Sequence, residues 1–208
     1  MYIPNHFREA SVARLHEVIR AYPFAPIVST IDGAPFATHL PFLLNASRGE
    51  FGMLRGHMAR PNPHWRGFTD GVEALVIFQG PHAFISPTWY ESQPAVPTWN
   101  YVSVHAYGIP RCVDDAELRE ILAETVSTFE EPGSGLALPE EYVEKLIRGI
   151  VGFELEITRL EGKFKLSQNR SPEDQRGAIE ALAASARADD RETAAFMNDN
   201  IHRTTEHN

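Results

Sequence analysis

Cysteine is nearly absent: Cys112 is the only one in 208 residues. That excludes an internal disulfide and any multi-cysteine zinc or iron–sulfur site, and a reducing, cytoplasmic setting is the simplest home. Lysine is almost as scarce, at three residues, and two of them, Lys163 and Lys165, stand together. No apolar run approaches the ~20 residues of a membrane span, and the opening ten residues lack the basic start and apolar stretch of a signal peptide. There is no P-loop, no GxGxxG turn and no nucleophile elbow, which argues against P-loop NTPases, Rossmann dehydrogenases and α/β hydrolases. Excess positive charge is missing too. A formal net charge of −9 gives no support to an unaided grip on DNA, which needs Lys and Arg at phosphates.

What is present reads as an ordinary soluble chain, 43% hydrophobic and 23% charged, long enough to bury a sizeable core. The acidity is local. Residues 114–148 carry ten Asp/Glu against three Lys/Arg, whereas residues 1–113 carry seven against eight. A first helix is expected over Ser11–Ala21, where Val12, Leu15, Val18, Ile19 and Tyr22 share one face. Apolar runs at 27–31 and 34–44 flank Asp32-Gly33, a hairpin signal. Further strands are expected at 52–58, 74–78, 83–87, 99–113 and 151–157. Asp114 with Glu117 reads as a capping box and opens an acidic helix through Glu131. A loop over 131–135 and a second helix after Pro139 follow. A last firm helix spans 172–186, and the end of the chain is polar and helical only in part. Strands first and helices later argue for an α+β fold, an antiparallel barrel with peripheral helices, rather than alternating βαβ units. Open barrel edges are often covered by a second subunit. The domain division expected is 1–182, with a helical insertion at 114–150, and a polar tail over 183–208.

Three segments suggest chemistry. Gly56-His57-Met58-Ala59-Arg60-Pro61-Asn62-Pro63 is a strand running into a proline-held turn, where Arg60 and Asn62 would present donors to an anion; a solvated edge arginine is the plainer alternative. Pro97-Thr98-Trp99-Asn100-Tyr101 sets two rings around a carboxamide. A planar ligand would stack there and be read through Asn100, or the rings belong to an aromatic core. Gly162 to Arg170 gathers Lys165, Ser167, Gln168, Asn169 and Arg170 before a helix, a donor cluster suited to phosphate. Seven of the nine histidines lie within residues 1–105, yet no HxxxH or HExxH spacing occurs, and no metal is expected. Cys112 reads as a small buried residue rather than a nucleophile.

Taken together, Met1 to Phe7, His39-Leu40-Pro41-Phe42, the Gly56–Pro63 segment, Phe78-Gln79-Gly80-Pro81-His82, Ile85 to Tyr90, Pro97 to Tyr101 and Lys165-Leu166-Ser167-Gln168-Asn169-Arg170 resemble the PaiB family of FMN-binding negative transcriptional regulators. Seven colinear motifs over residues 1–182 make the resemblance specific. It implies an antiparallel split β-barrel of the FMN-binding type, akin to pyridoxamine-phosphate oxidases and flavin reductases, normally a homodimer with FMN at the interface. By the same resemblance the strand holding Arg55, Gly56 and His57 and the turn to Asn62 would hold the phosphate and ribityl chain, with Arg60 on the phosphate. Trp99, Asn100 and Tyr101 would approach the ring from the facing subunit, and Lys165, Gln168, Asn169 and Arg170 would close the pocket or take a second anion. Pro61 stands where alanine is more usual, in a turn already rich in proline. No basic recognition helix is visible, so the regulatory effect is expected to be indirect. A flavin-dependent oxidoreductase and a haem-binding or haem-degrading split barrel, with a histidine on the iron, are the competing readings.

Overall fold

The Asp32-Gly33 pair turns the chain as its residues allow: φ is 51° at Asp32 and 77° at Gly33, the left-handed conformation that a tight hairpin needs and glycine adopts without strain. The flanking strands β2 (Phe24–Ile31) and β3 (Ala34–Pro41) pair antiparallel, from Ile31 opposite Ala34 to Phe24 opposite Pro41. The computed structural model describes residues 1–131 and 139–206. The loop expected over 131–135 lies, from Pro132 on, outside the described residues.

The other strands in chain order are β1 (Arg8–Glu9), β4 (Leu43–Asn45), β5 (Met53–Ala59), β6 (Ala74–Ile85), β7 (Thr98–Gly108), β8 (Pro110–Cys112), β9 (Ile150–Glu156) and β10 (Arg159–Lys165). The helices are α1 (Val12–Ala21), α2 (Asp115–Phe129), α3 (Glu140–Ile147), α4 (Pro172–Ala183) and α5 (Ala188–Glu206). This is an α+β protein with unclosed antiparallel sheets, as the strand patterning implied. The strands expected at 74–78 and 83–87 are one continuous strand, and the strand expected at 99–113 is broken at Ile109. β10 was hidden because Arg159, Glu161, Lys163 and Lys165 put charge on alternate positions.

The chain forms two compact units, and β6 and β7 each contribute residues to both. The second unit comprises residues 12–78 and 105–160. In it β6 pairs β2, with Ile27 opposite Val76, and the four-stranded order is β4-β5-β9-β8. Phe153 is fully buried. Its ring meets Phe42 edge-on at 6.0 Å and Phe68 at 5.2 Å, and burying such a ring contributes roughly 1.5–3 kcal/mol. α2 opens on the expected capping box: Asp114 accepts from the amides of Ala116 and Glu117, and Glu117 accepts from the Asp114 amide. Leu118 and Ile121 turn inward, and they reach β9 only because residue 152 is glycine. A Cβ there would stand 2.7 Å from Val113 Cγ2 and 2.9 Å from Leu118 Cδ1.

The first unit comprises residues 1–11, 79–104 and 161–208. β1 pairs β10, with Arg8 opposite Lys163, and the order continues to β7 and β6. Phe164, Leu166, Ile85 and Leu182 lie in its core. The polar end of the chain, expected to be helical only in part, forms the helix α5, which buries Thr193, Ala194 and Met197. Its apolar stripe is one residue wide per turn, too thin to stand out among polar neighbours.

Candidate functional site

In the second unit α2 and α3 stand over β5 and β9 and leave a cavity of about 810 Å3. Leu122, Val126, Val143, Leu146 and Ile150 supply its apolar walls, and His57 reaches it from β5. Register explains the placement: His57 pairs with Gly152 and Ala59 with Ile150, so one stretch of β5 and β9 forms the floor. The His57 imidazole is half-buried, and no described residue hydrogen-bonds its ring. Burial disfavours the imidazolium and lowers its pKa, so the neutral ring is the form that faces the cavity at pH 7. Arg119 fastens the two helices through Glu140, at 3.2 Å, and Glu144.

Arg60 lies at the end of β5 beside this cavity. Its Nε and Nη2 donate to the carbonyls of Arg148 and Ile150 at 2.8 and 2.7 Å. The guanidinium is exposed, and its direction is fixed by the backbone it grips. The neighbouring candidates have structural work. Asn62 Oδ1 accepts from the His64 amide at 3.0 Å, and its Nδ2 donates to Thr38 Oγ1 at 3.1 Å. Arg55 pairs with Glu124 and, at 4.0 Å, Glu120. Gly56 gives room to Phe153, whose Cζ lies 3.3 Å from where a Cβ would be. Of this group only His57 and Arg60 are placed to meet a ligand. The helix residues opposite them had no signal in sequence beyond an apolar stripe.

The first unit holds the remaining candidates, on two faces. Along β7 Trp99 and Tyr101 point to one side, where with Gln79 and His82 they line an open aromatic trough. Trp99 is 51% exposed. Asn100 points to the other side, into a cleft of about 180 Å3 lined also by Tyr90, Lys165, Ser167, Asn169 and Arg170. One planar ligand on one chain therefore does not stack on Trp99 and Tyr101 while reading Asn100; strand alternation separates them. In the cleft Lys165 Nζ donates to Thr98 Oγ1 at 2.7 Å and to the Trp99 carbonyl at 2.5 Å, and the Arg170 guanidinium lies 4.7 Å from the Tyr90 ring centre. Burial, then the nearby charges of Lys163 and Arg170, lower the Lys165 pKa. Gln168 is spent on its own turn, accepting from the Leu166 amide at 2.7 Å and donating to the Phe164 carbonyl at 2.5 Å.

The cavity of the second unit suits FMN on its own terms. Its volume exceeds that of a tricyclic ring, its walls are mostly apolar, and His57, Thr125, Arg119 and Glu140 supply the few polar groups such sites use, with the exposed Arg60 guanidinium held on the carbonyl of the wall residue Ile150. A family model described as "Putative FMN-binding domain" matches residues 1–159, which include this whole cavity. The protease synthase and sporulation protein PAI 2 of Bacillus subtilis is 36% identical over 97% of this chain and 98% of its own. Among solved structures, the FAD and haem binding protein of Mycobacterium smegmatis is 18% identical with a TM-score of 0.64, over 82% of this chain and 79% of its own. The flavocytochrome Anf3 of Azotobacter vinelandii is 17% identical with a TM-score of 0.64, over 83% and 77%. At such identities these two speak for the fold, which is the split-barrel type. The chain belongs to the PaiB-type family of FMN-binding split-barrel proteins, and FMN is its cofactor.

Proposed function

We propose that FMN is held in the cavity between β5, β9, α2 and α3, with the ring against Leu122, Val126 and Ile150, His57 bonded to its polar edge, and Arg60 on the phosphate. The observation that carries this is the half-buried, unpaired His57 in a mostly apolar cavity of about 810 Å3, whose other polar lining is Thr125 and the Arg119–Glu140 ion pair. FMN when bound supplies hydride and one-electron chemistry. The protein's part is to exclude water with the α2 and α3 side chains, to offer a neutral imidazole as hydrogen-bond partner, and to hold Arg60 in one direction through two backbone carbonyls. Flavin fluorescence titration tests the reading: saturable FMN binding that weakens in His57→Ala is expected, and binding indifferent to that change overturns it.

The role follows the relative's name only in part. We infer a cytoplasmic, PaiB-type negative regulator that acts indirectly, through the flavin's redox state or a flavin-dependent reaction on a small molecule, rather than by gripping DNA. Several basic side chains of the second unit are drawn into ion pairs, Arg48 and Arg111 both meeting Glu154 at 2.8 Å, which lowers the positive charge available to phosphates. The exposed apolar side chains Val126, Phe129, Tyr142 and Leu146 on the acidic helices favour a homodimer, which light scattering checks. A second reading places haem in the same cavity, since a neutral imidazole is also an iron ligand. The absorption spectrum of the purified protein separates the two, by flavin bands or a Soret band.

A further inference from the structure

The cleft of the first unit is built around polar atoms that the protein leaves unused. Asn100 is completely buried, and its Nδ2 donates to Ser167 Oγ at 2.9 Å. Its Oδ1 has no partner among the described residues, and neither has the buried Tyr90 hydroxyl on the same cleft wall. A buried acceptor and a buried hydroxyl left unpaired each carry an uncompensated desolvation penalty, and native structures tolerate such groups chiefly where something else meets them. Two cations, Lys165 and Arg170, line the same space, and among the described residues neither makes a direct ion pair there, the charge of Arg170 reaching the Asp174 carboxylate only at a distance. Lys165 is bound to two neutral oxygens, and Arg170 lies over the Tyr90 ring. Ser167, which orients Asn100, sits at φ 66°, a left-handed backbone that a residue with a side chain adopts at a cost.

We propose that this cleft binds a small organic anion bearing a hydroxyl beside its charged group, a phosphate monoester or a hydroxy acid, gripped by Lys165 and Arg170 and read by the Asn100 Oδ1. The donor set fits that class. Lys165 and Arg170 answer the negative charge, Arg170 with a planar fork. Asn100 Oδ1 accepts only, so it selects a ligand group with a hydrogen to give, and the Tyr90 hydroxyl satisfies a further oxygen. A volume of about 180 Å3 limits the ligand to a few carbons. An anion would also relieve the mutual repulsion of Lys163, Lys165 and Arg170, which with burial lowers the Lys165 pKa; binding is therefore expected to draw a proton onto Lys165 at alkaline pH.

Calorimetric titration of the full chain loaded with FMN tests this with four probes: glycerol 3-phosphate, lactate, inorganic phosphate and glycerol. Saturable binding of glycerol 3-phosphate or lactate in the millimolar range or below is expected. Inorganic phosphate should be at least about tenfold weaker and glycerol should give no signal, since each lacks half the recognised pair. Whichever charged probe is tighter names the anion. Arg170→Gln and Lys165→Met should each weaken that probe about tenfold or more, with FMN affinity and melting temperature unchanged in Arg170→Gln. Absence of saturable binding by every probe, or binding that both variants leave intact, overturns the proposal and leaves the cleft to water. A fall in FMN affinity in Arg170→Gln overturns it differently, by making the cleft part of the flavin site. The cleft and the flavin cavity fail separately: His57→Ala tests the flavin placement without moving the anion titration.

Discussion

The carboxamide of Asn100, on β7, gives its Nδ2 to the hydroxyl of Ser167, 67 residues later and 2.9 Å away, while Met197 of α5 takes the same group at 3.4 Å through sulfur. The strand, the Ser167–Arg170 turn and the last helix thus converge on one buried amide. Ser167 makes this hydrogen bond at a cost in backbone energy, so two substitutions separate the two effects. Ser167→Ala keeps the left-handed strain and removes the hydroxyl, with an expected cost of about 1–3 kcal/mol. Ser167→Gly removes the same hydroxyl but relieves the strain, and is expected to be about 1 kcal/mol more stable than the alanine variant. Urea unfolding measures both, and a glycine variant less stable than alanine contradicts the account.

Arg60 combines an exposed guanidinium with two bonds to main-chain carbonyls. Arg60→Ala is expected to weaken FMN about ten- to a hundredfold, with riboflavin changing much less, because the proposed placement puts the guanidinium on the phosphate that riboflavin does not have. Arg60→Lys keeps the charge without the fork and should fall between. Paired fluorescence titrations decide: if both flavins weaken together, Arg60 serves only to tie β5 to the 148–150 turn.

His57 and His64 share a direction in pH. Burial lowers both pKa values, so the unfolded chain binds protons below about pH 6.5 that the folded chain refuses. Stability is unaffected by these groups above that pH and is lost as pH falls through it. Melting temperatures at pH 7.5, 6.5 and 5.5 should decline, and His57→Gln should flatten part of the decline. An unchanged slope in the variant would show that His57 titrates freely. His64 keeps its share, being buried between Ser29 Oγ and Thr38 Oγ1 at 2.8 Å each.

Gly152 controls how closely α2 lies on β9. Gly152→Ala forces Val113 and Leu118 to yield and is expected to cost about 1–3 kcal/mol. Since α2 also walls the cavity proposed for FMN, FMN affinity should fall in the folded variant. Thermal unfolding and FMN titration of the same preparation check both effects; reduced stability with unchanged FMN affinity removes α2 from the flavin site.

Much of this was legible in the residues. Period-two runs located the long strands, the Asp32-Gly33 turn located the hairpin, the Asp114/Glu117 spacing located α2, and seven colinear motifs located the family, because each is a local signal that neighbours in sequence complete. β10 escaped, and α5 showed only in part, because their faces are decided by partners elsewhere: Lys163 of β10 donates to the Tyr2 carbonyl and Lys165 to Thr98 and Trp99, while α5 buries Thr193, Ala194 and Met197 on a stripe too narrow to show alone. The donors divided for the same reason. Arg60, Asn62 and Gly56 looked alike as a ligand-binding turn, yet only the folded register shows that Asn62 caps its own turn, that Gly56 accommodates Phe153 and that Arg60 remains exposed. Likewise the alternation of Trp99, Asn100 and Tyr101 is written in the sequence, but which face holds a trough and which a cationic cleft depends on Lys165 and Arg170, more than sixty residues away. Sequence determined most of the elements and the family. Tertiary structure decided which polar atoms were left unpaired, since satisfaction of a hydrogen bond is a property of what packs against the group and not of the group itself.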